Sequence, residues 1–187
     1  MNNTKKLVLA GLFIALSVVG GALIIIPVGL AKAAPVQHFM NVLTAVTLGP
    51  WYAVGCAFVT SIIRNLIGTG SIMAFPGSMV GALLAGLVYR RFPNLAAAAV
   101  GEVFGTGILG AMLAALMALP FLGTKVAIFG YVPSFFLSTL VGATASALLL
   151  KAFKGARTAR PLQRQLRRIP NDLSSKTCPS SAHHRRQ

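Results

Sequence analysis

Few residues in this chain can do chemistry, and they recur at helical spacing. Glu102 is the only acidic residue in the first 171 of 187 positions, and Thr106 stands one turn beyond it. Gln37, Asn41 and Thr44 follow the i, i+4, i+7 pattern, with His38 bordering their face. Ser61, Arg64 and Asn65 share a second face, and Tyr131, Ser134 and Ser138 a third. A carboxylate among an imidazole, amides, hydroxyls and a guanidinium can hold a small polar or heteroaromatic solute, pair with the cation, or pass a proton. Enzymatic chemistry would need a nucleophile beside a base or a cluster of metal ligands. Neither is visible, and no Gly-Lys pair occurs, so a P-loop is absent. The expectation is a binding protein rather than an enzyme, with no cofactor and no metal.

The elements that must carry these residues are apolar. Hydrophobic residues make up 56% of the chain and charged residues only 10%, far below the roughly one quarter of a soluble domain; mean hydropathy is +0.77. Segments of about 17–25 apolar residues cross a bilayer as helices. By that measure the expected spans are Leu7–Ile26, Trp51–Ile67, Ile72–Tyr89, Leu95–Leu119 and Val126–Leu150. A shorter one, Val36–Leu48, reaches only about 20 Å at helical rise. The predicted fold is an all-α integral membrane protein, a six-helix bundle over residues 1–153 with a tail at 154–187.

A carboxylate inside such a helix costs about 2.5–3.5 kcal/mol on insertion scales, so Glu102 should face a partner, a cavity or a ligand. Arg64 lies 13 residues from Trp51 and Glu102 nine from Pro93, heights of about 20 and 13 Å from the inner side. An Arg64–Glu102 pair is therefore within side-chain reach, and a ligand contact is the other reading. Pro76 and Pro133, near the starts of two spans, are expected to free backbone groups of the kind that line a cavity at membrane depth.

Small residues spaced by four mark helix contacts: Gly11 and Ala15 on the first span, Gly77, Gly81 and Ala85 on the fourth, Ala97, Gly101 and Gly105 on the fifth. Lys5 and Lys6, Arg90 and Arg91, and Lys151 and Lys154 fall on one side of a six-span arrangement, which the positive-inside rule makes cytoplasmic. Both termini are then inside, and Trp51 anchors the inner interface. Ala31-Lys32-Ala33 after an apolar stretch imitates a signal-peptide cleavage site, but the stretch exceeds the 7–15 residues of a signal core. Lys151–Gln187 holds ten of the 17 basic residues and Asp172, leaving about +9. Its Pro, Ser and Arg content, with Arg164, Arg167 and Arg168 close together, suits disorder or the inner leaflet. Without aromatic interleaving or a recognition motif it is not read as binding nucleic acid. Cys56 and Cys178 suggest neither a disulfide nor a metal site, even with His183 and His184 near the latter.

Three blocks carry a specific resemblance: APVQHFMNVLTAVTLGPWYAVG from Ala34, RNLIGTGSIMAFPGSMVGALLAG from Arg64, and GEVFGTGILGA from Gly101. They resemble ThiW, a family of substrate-binding S components of energy-coupling-factor (ECF) transporters assigned to hydroxyethylthiazole, the thiazole part of thiamine. The resemblance runs over about residues 1–153 and stops before the tail. It implies six helices, a pocket near the outer face closed by the loop after the first helix, and a bacterial or archaeal plasma membrane. It also implies partners, a transmembrane coupling subunit and two ATPases, docked on a small-xxx-small motif that falls here on Gly11 and Ala15 as a glycine variant. On this reading Glu102 accepts a hydrogen bond from the hydroxyethyl group or pairs with Arg64. His38, Gln37, Asn41, Thr106, Tyr131 and Ser134 add polar contacts, and Lys32 sits on the closing loop. The alternative is a self-sufficient proton-coupled secondary transporter of a small heterocycle or related vitamin.

Overall fold

The first helix, α1, runs Asn3–Leu23 and buries a single stripe of Ala10, Phe13, Ser17 and Gly21. Leu7, Leu12, Leu16, Val19 and Leu23 on its other faces are half or more exposed. This computed structural model describes residues 2–28, 31–72, 74–122 and 133–153. Contacts divide the chain into two units, Met1–Leu150 and Lys151–Gln187. The basic tail lies outside the described residues beyond Phe153.

After α1 the chain forms a short antiparallel hairpin, β1 (Ile26–Val28) with β2 (Ala31–Ala33), in which Pro27 faces Lys32. Sequence reading gives only a loop here. Helix α2 (Pro35–Leu48) and helix α3 (Pro50–Leu66) both open on proline at the first turn, where the missing N–H would be unpaired in any case. Gly49 between them takes φ +94°, a conformation that favours glycine. These two helices match the expected spans to within a residue.

Helix α4 (Ala74–Arg91) contacts α2, α3 and the helix that follows it. That next helix is not uniform. Asn94 caps it through a bond from Ala96 N at 3.0 Å. It runs as α5 (Leu95–Phe104), a π-helical segment (Gly105–Gly110) and α6 (Ala111–Leu122). The last helix, α7, spans Pro133–Phe153; residues 126–132 of the expected sixth span lie outside the described residues. Pro76 sits within the first turns of α4 and Pro133 opens α7. An irregular backbone stretch is formed by the π segment, a form that recurs at functional sites.

Three helices are long and apolar enough to cross a membrane by length and composition: Asn3–Leu23, Leu95–Met117 and Pro133–Phe153. Their interior is built from small residues. Among the described residues, the fully buried side chains include Val42, Thr44, Thr60, Thr106, Thr139, Ser61, Ser78 and Ser146, and the largest is Glu102. The glycine stripes of α4 and of the α5–π helix meet each other: a Cβ on Gly105 would lie 2.7 Å from Gly81 Cα, one on Gly101 3.2 Å from Ala85 Cα, and one on Gly110 against Gly77. Backbones this close draw on packing, the force that joins helices when lipid removes the hydrophobic difference.

Candidate functional site

Glu102 is fully buried, at 0% exposure, on the last turn of α5. One of its oxygens gathers every polar contact. Oε1 accepts from Asn41 Nδ2 at 3.0 Å and from Thr106 Oγ1 at 3.1 Å, and lies 3.0 Å from His38 Nδ1. Oε2 has no hydrogen-bond partner among the described residues. The donors come from two directions. His38 and Asn41 stand on neighbouring faces of α2, while Thr106 lies one turn along the same helix, inside the π segment. Thr106 also bonds to Gly77 O of α4 at 2.9 Å, so its single hydroxyl hydrogen serves two acceptors. The buried carboxyl group is thus supplied with hydrogen bonds at Oε1 alone.

Arg64 forms a separate cluster at the other end of the polar face. Its guanidinium bonds to Gln37 Oε1, to Gly21 O at 3.0 Å and to Thr69 O at 3.1 Å, which ties α3 to α1 and α2. Gly21 allows this approach, since a Cβ there would lie 3.0 Å from the guanidinium carbon. The Arg64–Glu102 pair raised by the depth estimate is not formed. Axial height constrains distance along the bundle but not direction around it. Three nearby oxygens take the terminal nitrogens of Arg64, while its Nε has no partner among the described residues.

The two clusters are joined through α3 and α4. Gln37 Nε2 donates to Ser61 Oγ at 3.3 Å, Ser61 Oγ and Ser78 Oγ are 3.2 Å apart, and Asn41 Nδ2 reaches Ser78 O at 3.2 Å. A continuous polar path thus runs from Arg64 to Thr106 through buried side chains. Thr44, expected on the same face as Gln37 and Asn41, returns its hydroxyl to Met40 O of its own helix at 2.7 Å and stands apart. Asn65 likewise bonds to Ser61 O and Ser71 O and shapes the turn after α3.

Of the remaining expected site residues, Ser134 is buried at 3% exposure on the first turn of α7. One turn on, Ser138 Oγ accepts from Ala34 N at 2.9 Å and fastens α7 to the start of α2. Lys32 is a backbone position on β2; Tyr131 lies outside the described residues. On α1, Gly11 and Ala15 face outward, and nothing lies within 4 Å of a Cβ placed on Gly11. Sequence reading misses the carbonyls of Gly21 and Gly77 as partners, because backbone acceptors carry no residue signature. It also misses Gly81 as a neighbour of the carboxylate: a Cβ there would lie 2.8 Å from Oε2. The Gly-Thr-Gly triplet at 105–107, which opens the π segment, is the one signal that could have marked the irregular turn.

Residues 7–156 match the model of the family described as Thiamine-precursor transporter protein (ThiW). No curated protein matches the chain.

Proposed function

The chain belongs to the ThiW family of thiamine-precursor transporter proteins, and on that premise we propose that it is the substrate-binding S component of an ECF transporter. It captures hydroxyethylthiazole and hands it inward, with energy from a transmembrane coupling subunit and two ATPases. The observation that carries this reading is the Glu102 cluster, a buried carboxyl group organised by His38, Asn41 and Thr106, with no Lys or Arg on it among the described residues. Polar groups of this kind at membrane depth serve a solute. Gln37, Arg64, Ser134, Lys32 and Tyr131 complete the surroundings of the site in this proposal.

The reading carries a topology with it. The bundle crosses a bacterial or archaeal plasma membrane six times with both termini cytoplasmic, and the basic tail lies at the inner leaflet. Gly11 and Ala15 form the docking face for the coupling subunit, in keeping with the open space beside Gly11. The test is equilibrium binding of hydroxyethylthiazole to the purified chain and to Glu102→Gln. Saturable binding weakened at least tenfold by the substitution is expected. No saturable binding to the wild type overturns the substrate assignment, and equal affinity in Glu102→Gln removes the carboxylate from the site.

A second reading draws on one observation, the buried contact between His38 and Glu102. An imidazole against a carboxylate is also the apparatus of a proton-coupled secondary transporter. Uptake into vesicles that hold this chain alone, with a proton gradient and no ATP, separates the two. Accumulation under those conditions would overturn the partner-dependent mechanism.

A further inference from the structure

The polar groups around Glu102 are nearly all committed to one another, and the exceptions are the atoms that can meet a ligand. Asn41 has its amide orientation fixed by its neighbours. Its nitrogen lies 3.2 Å from Ser78 O and 3.0 Å from Glu102 Oε1, and turning the amide over would set its carbonyl against two acceptors. The Thr106 hydrogen is shared between Gly77 O and Glu102 Oε1. Three atoms remain, Glu102 Oε2, Asn41 Oδ1 and His38 Nε2. The Asn41 carbonyl has no hydrogen bond among the described residues and is not among the sealed atoms, and a variant at His38 that leaves Asn41 in place separates these two open acceptors. Oε2 is sealed: it is among the inaccessible atoms without a partner, and it faces the backbone of α4 at Gly81. His38 is different. It keeps 7% exposure, and its Nε2 has no hydrogen bond among the described residues and is not among the sealed atoms.

The contact with Glu102 decides what Nε2 can do. Nδ1 stands 3.0 Å from Glu102 Oε1. Against an ionised carboxylate, two lone pairs facing each other at that distance would repel, which favours the tautomer with the proton on Nδ1. A neutral imidazole protonated at Nδ1 presents a bare lone pair at Nε2. Resting on the proposal that this site binds a solute, we infer that His38 Nε2 is the atom that meets it, accepting a hydrogen bond from an O–H or N–H donor on a neutral heterocycle. Glu102 is then a positioning residue, which fixes the ring and its tautomer and does not touch the solute. The hydroxyethyl group of hydroxyethylthiazole supplies such a donor. A solute of the same shape with only an acceptor at that end is rejected, because a buried acceptor left unpaired is unfavourable.

The experiment uses the full chain in detergent or nanodiscs, with hydroxyethylthiazole and its fluoroethyl analogue, which keeps the size and the electronegative end and lacks the hydrogen. Wild type should bind the alcohol at least tenfold more tightly than the fluoride. His38→Asn retains a side-chain N–H that can serve Glu102 and deletes Nε2, so the ratio between the two ligands should fall to about one. Imidazole ¹⁵N shifts of the ligand-free wild type, assigned by difference from His38→Asn, give a readout that needs no ligand and should report protonated Nδ1 and bare Nε2. Equal wild-type affinity for alcohol and fluoride, or a proton on Nε2, overturns the inference while leaving the transport reading intact. Failure of wild type to bind the alcohol at all, with the ¹⁵N tautomer as expected, overturns the transport reading instead.

Discussion

Gly81→Ala tests the geometry of the site through a residue that makes no polar contact with its side chain. An added Cβ would lie 2.8 Å from Glu102 Oε2, 2.9 Å from its Cδ and closer still to Thr106 Oγ1. Ordinary contact begins at 3.4 Å, so the carboxylate would have to retreat by roughly 0.6 Å and the hydroxyl by more. Neither has slack. Thr106 is held at 2.9 Å from Gly77 O and 3.1 Å from Oε1, and Glu102 is held by His38 and Asn41. Overpacking of this kind costs about 1–3 kcal/mol, and each hydrogen bond lost with its partner left buried adds about 1–3 kcal/mol. A total near 3 kcal/mol corresponds to roughly a hundredfold in affinity if it falls on the binding state. The assay is hydroxyethylthiazole affinity with thermal unfolding in detergent, beside Gly11→Ala, where nothing lies within 4 Å of the new methyl. Gly81→Ala should lose affinity or thermal stability sharply while Gly11→Ala stays near wild type. Equal behaviour of the two variants would refute the claim that α4 is pressed against the carboxylate.

Other substitutions probe separate contacts. Thr106→Val keeps the side-chain shape and removes the hydrogen shared by Gly77 O and Glu102, so it should destabilise the fold by about 1–3 kcal/mol, with Thr106→Ser near wild type; thermal unfolding of both decides. Arg64→Lys replaces a fork that reaches Gln37, Gly21 O and Thr69 O with a single ammonium. It should lower the unfolding midpoint measurably, and full retention would show that the fork is dispensable. The chain through Gln37, Ser61, Ser78 and Asn41 joins Arg64 to Glu102 without direct contact. Arg64→Met and Glu102→Gln should therefore depart from additivity by about 0.5–3 kcal/mol in the double variant, whereas strict additivity would count against a continuous network. Ser138→Ala strips the acceptor from Ala34 N, so hydrogen exchange at that amide should accelerate; unchanged protection counts against the tie between α7 and α2.

Much of this arrangement is legible in the chain because membrane helices obey few rules. Pro35, Gly49 and Pro50 punctuate α2 and α3 to within a residue of the structure, since proline and a positive-φ glycine have one physical meaning each. The stripes Gly77–Gly81–Ala85 and Gly101–Gly105 meet across one interface. Spacing puts Gln37 with Asn41, and Thr106 with Glu102, on shared helix faces. The convergence of His38 and Asn41 on Glu102 comes instead from the packing of α2 against α5, which spacing does not encode. Other features depend on quantities that spacing does not encode. Residue counting gives Arg64 a height but no azimuth, and its partners are largely backbone oxygens that any sequence would supply. Thr44 has the right spacing and the wrong partner, because a threonine hydroxyl can always return to its own helix. The hairpin strands are three residues each, too short for alternation to register.

The π segment and the carboxylate belong to one argument. A buried carboxyl group depends on hydrogen bonds from its neighbours, and those are fixed only if the backbones that carry them cannot drift. Here the fixing agent is the glycine contact between α4 and the α5–π helix. It brings Gly77 O within reach of Thr106 and so orients the hydroxyl that also serves Glu102. Polar residues on helix faces say which groups can meet, and glycines set the distance at which they do. In the proposed function binding and folding share the same contacts at this site, so variants that loosen the helix pair should lose affinity and stability together. A loss of affinity with unchanged stability is expected only where a substitution removes an atom that faces the solute, as His38→Asn does.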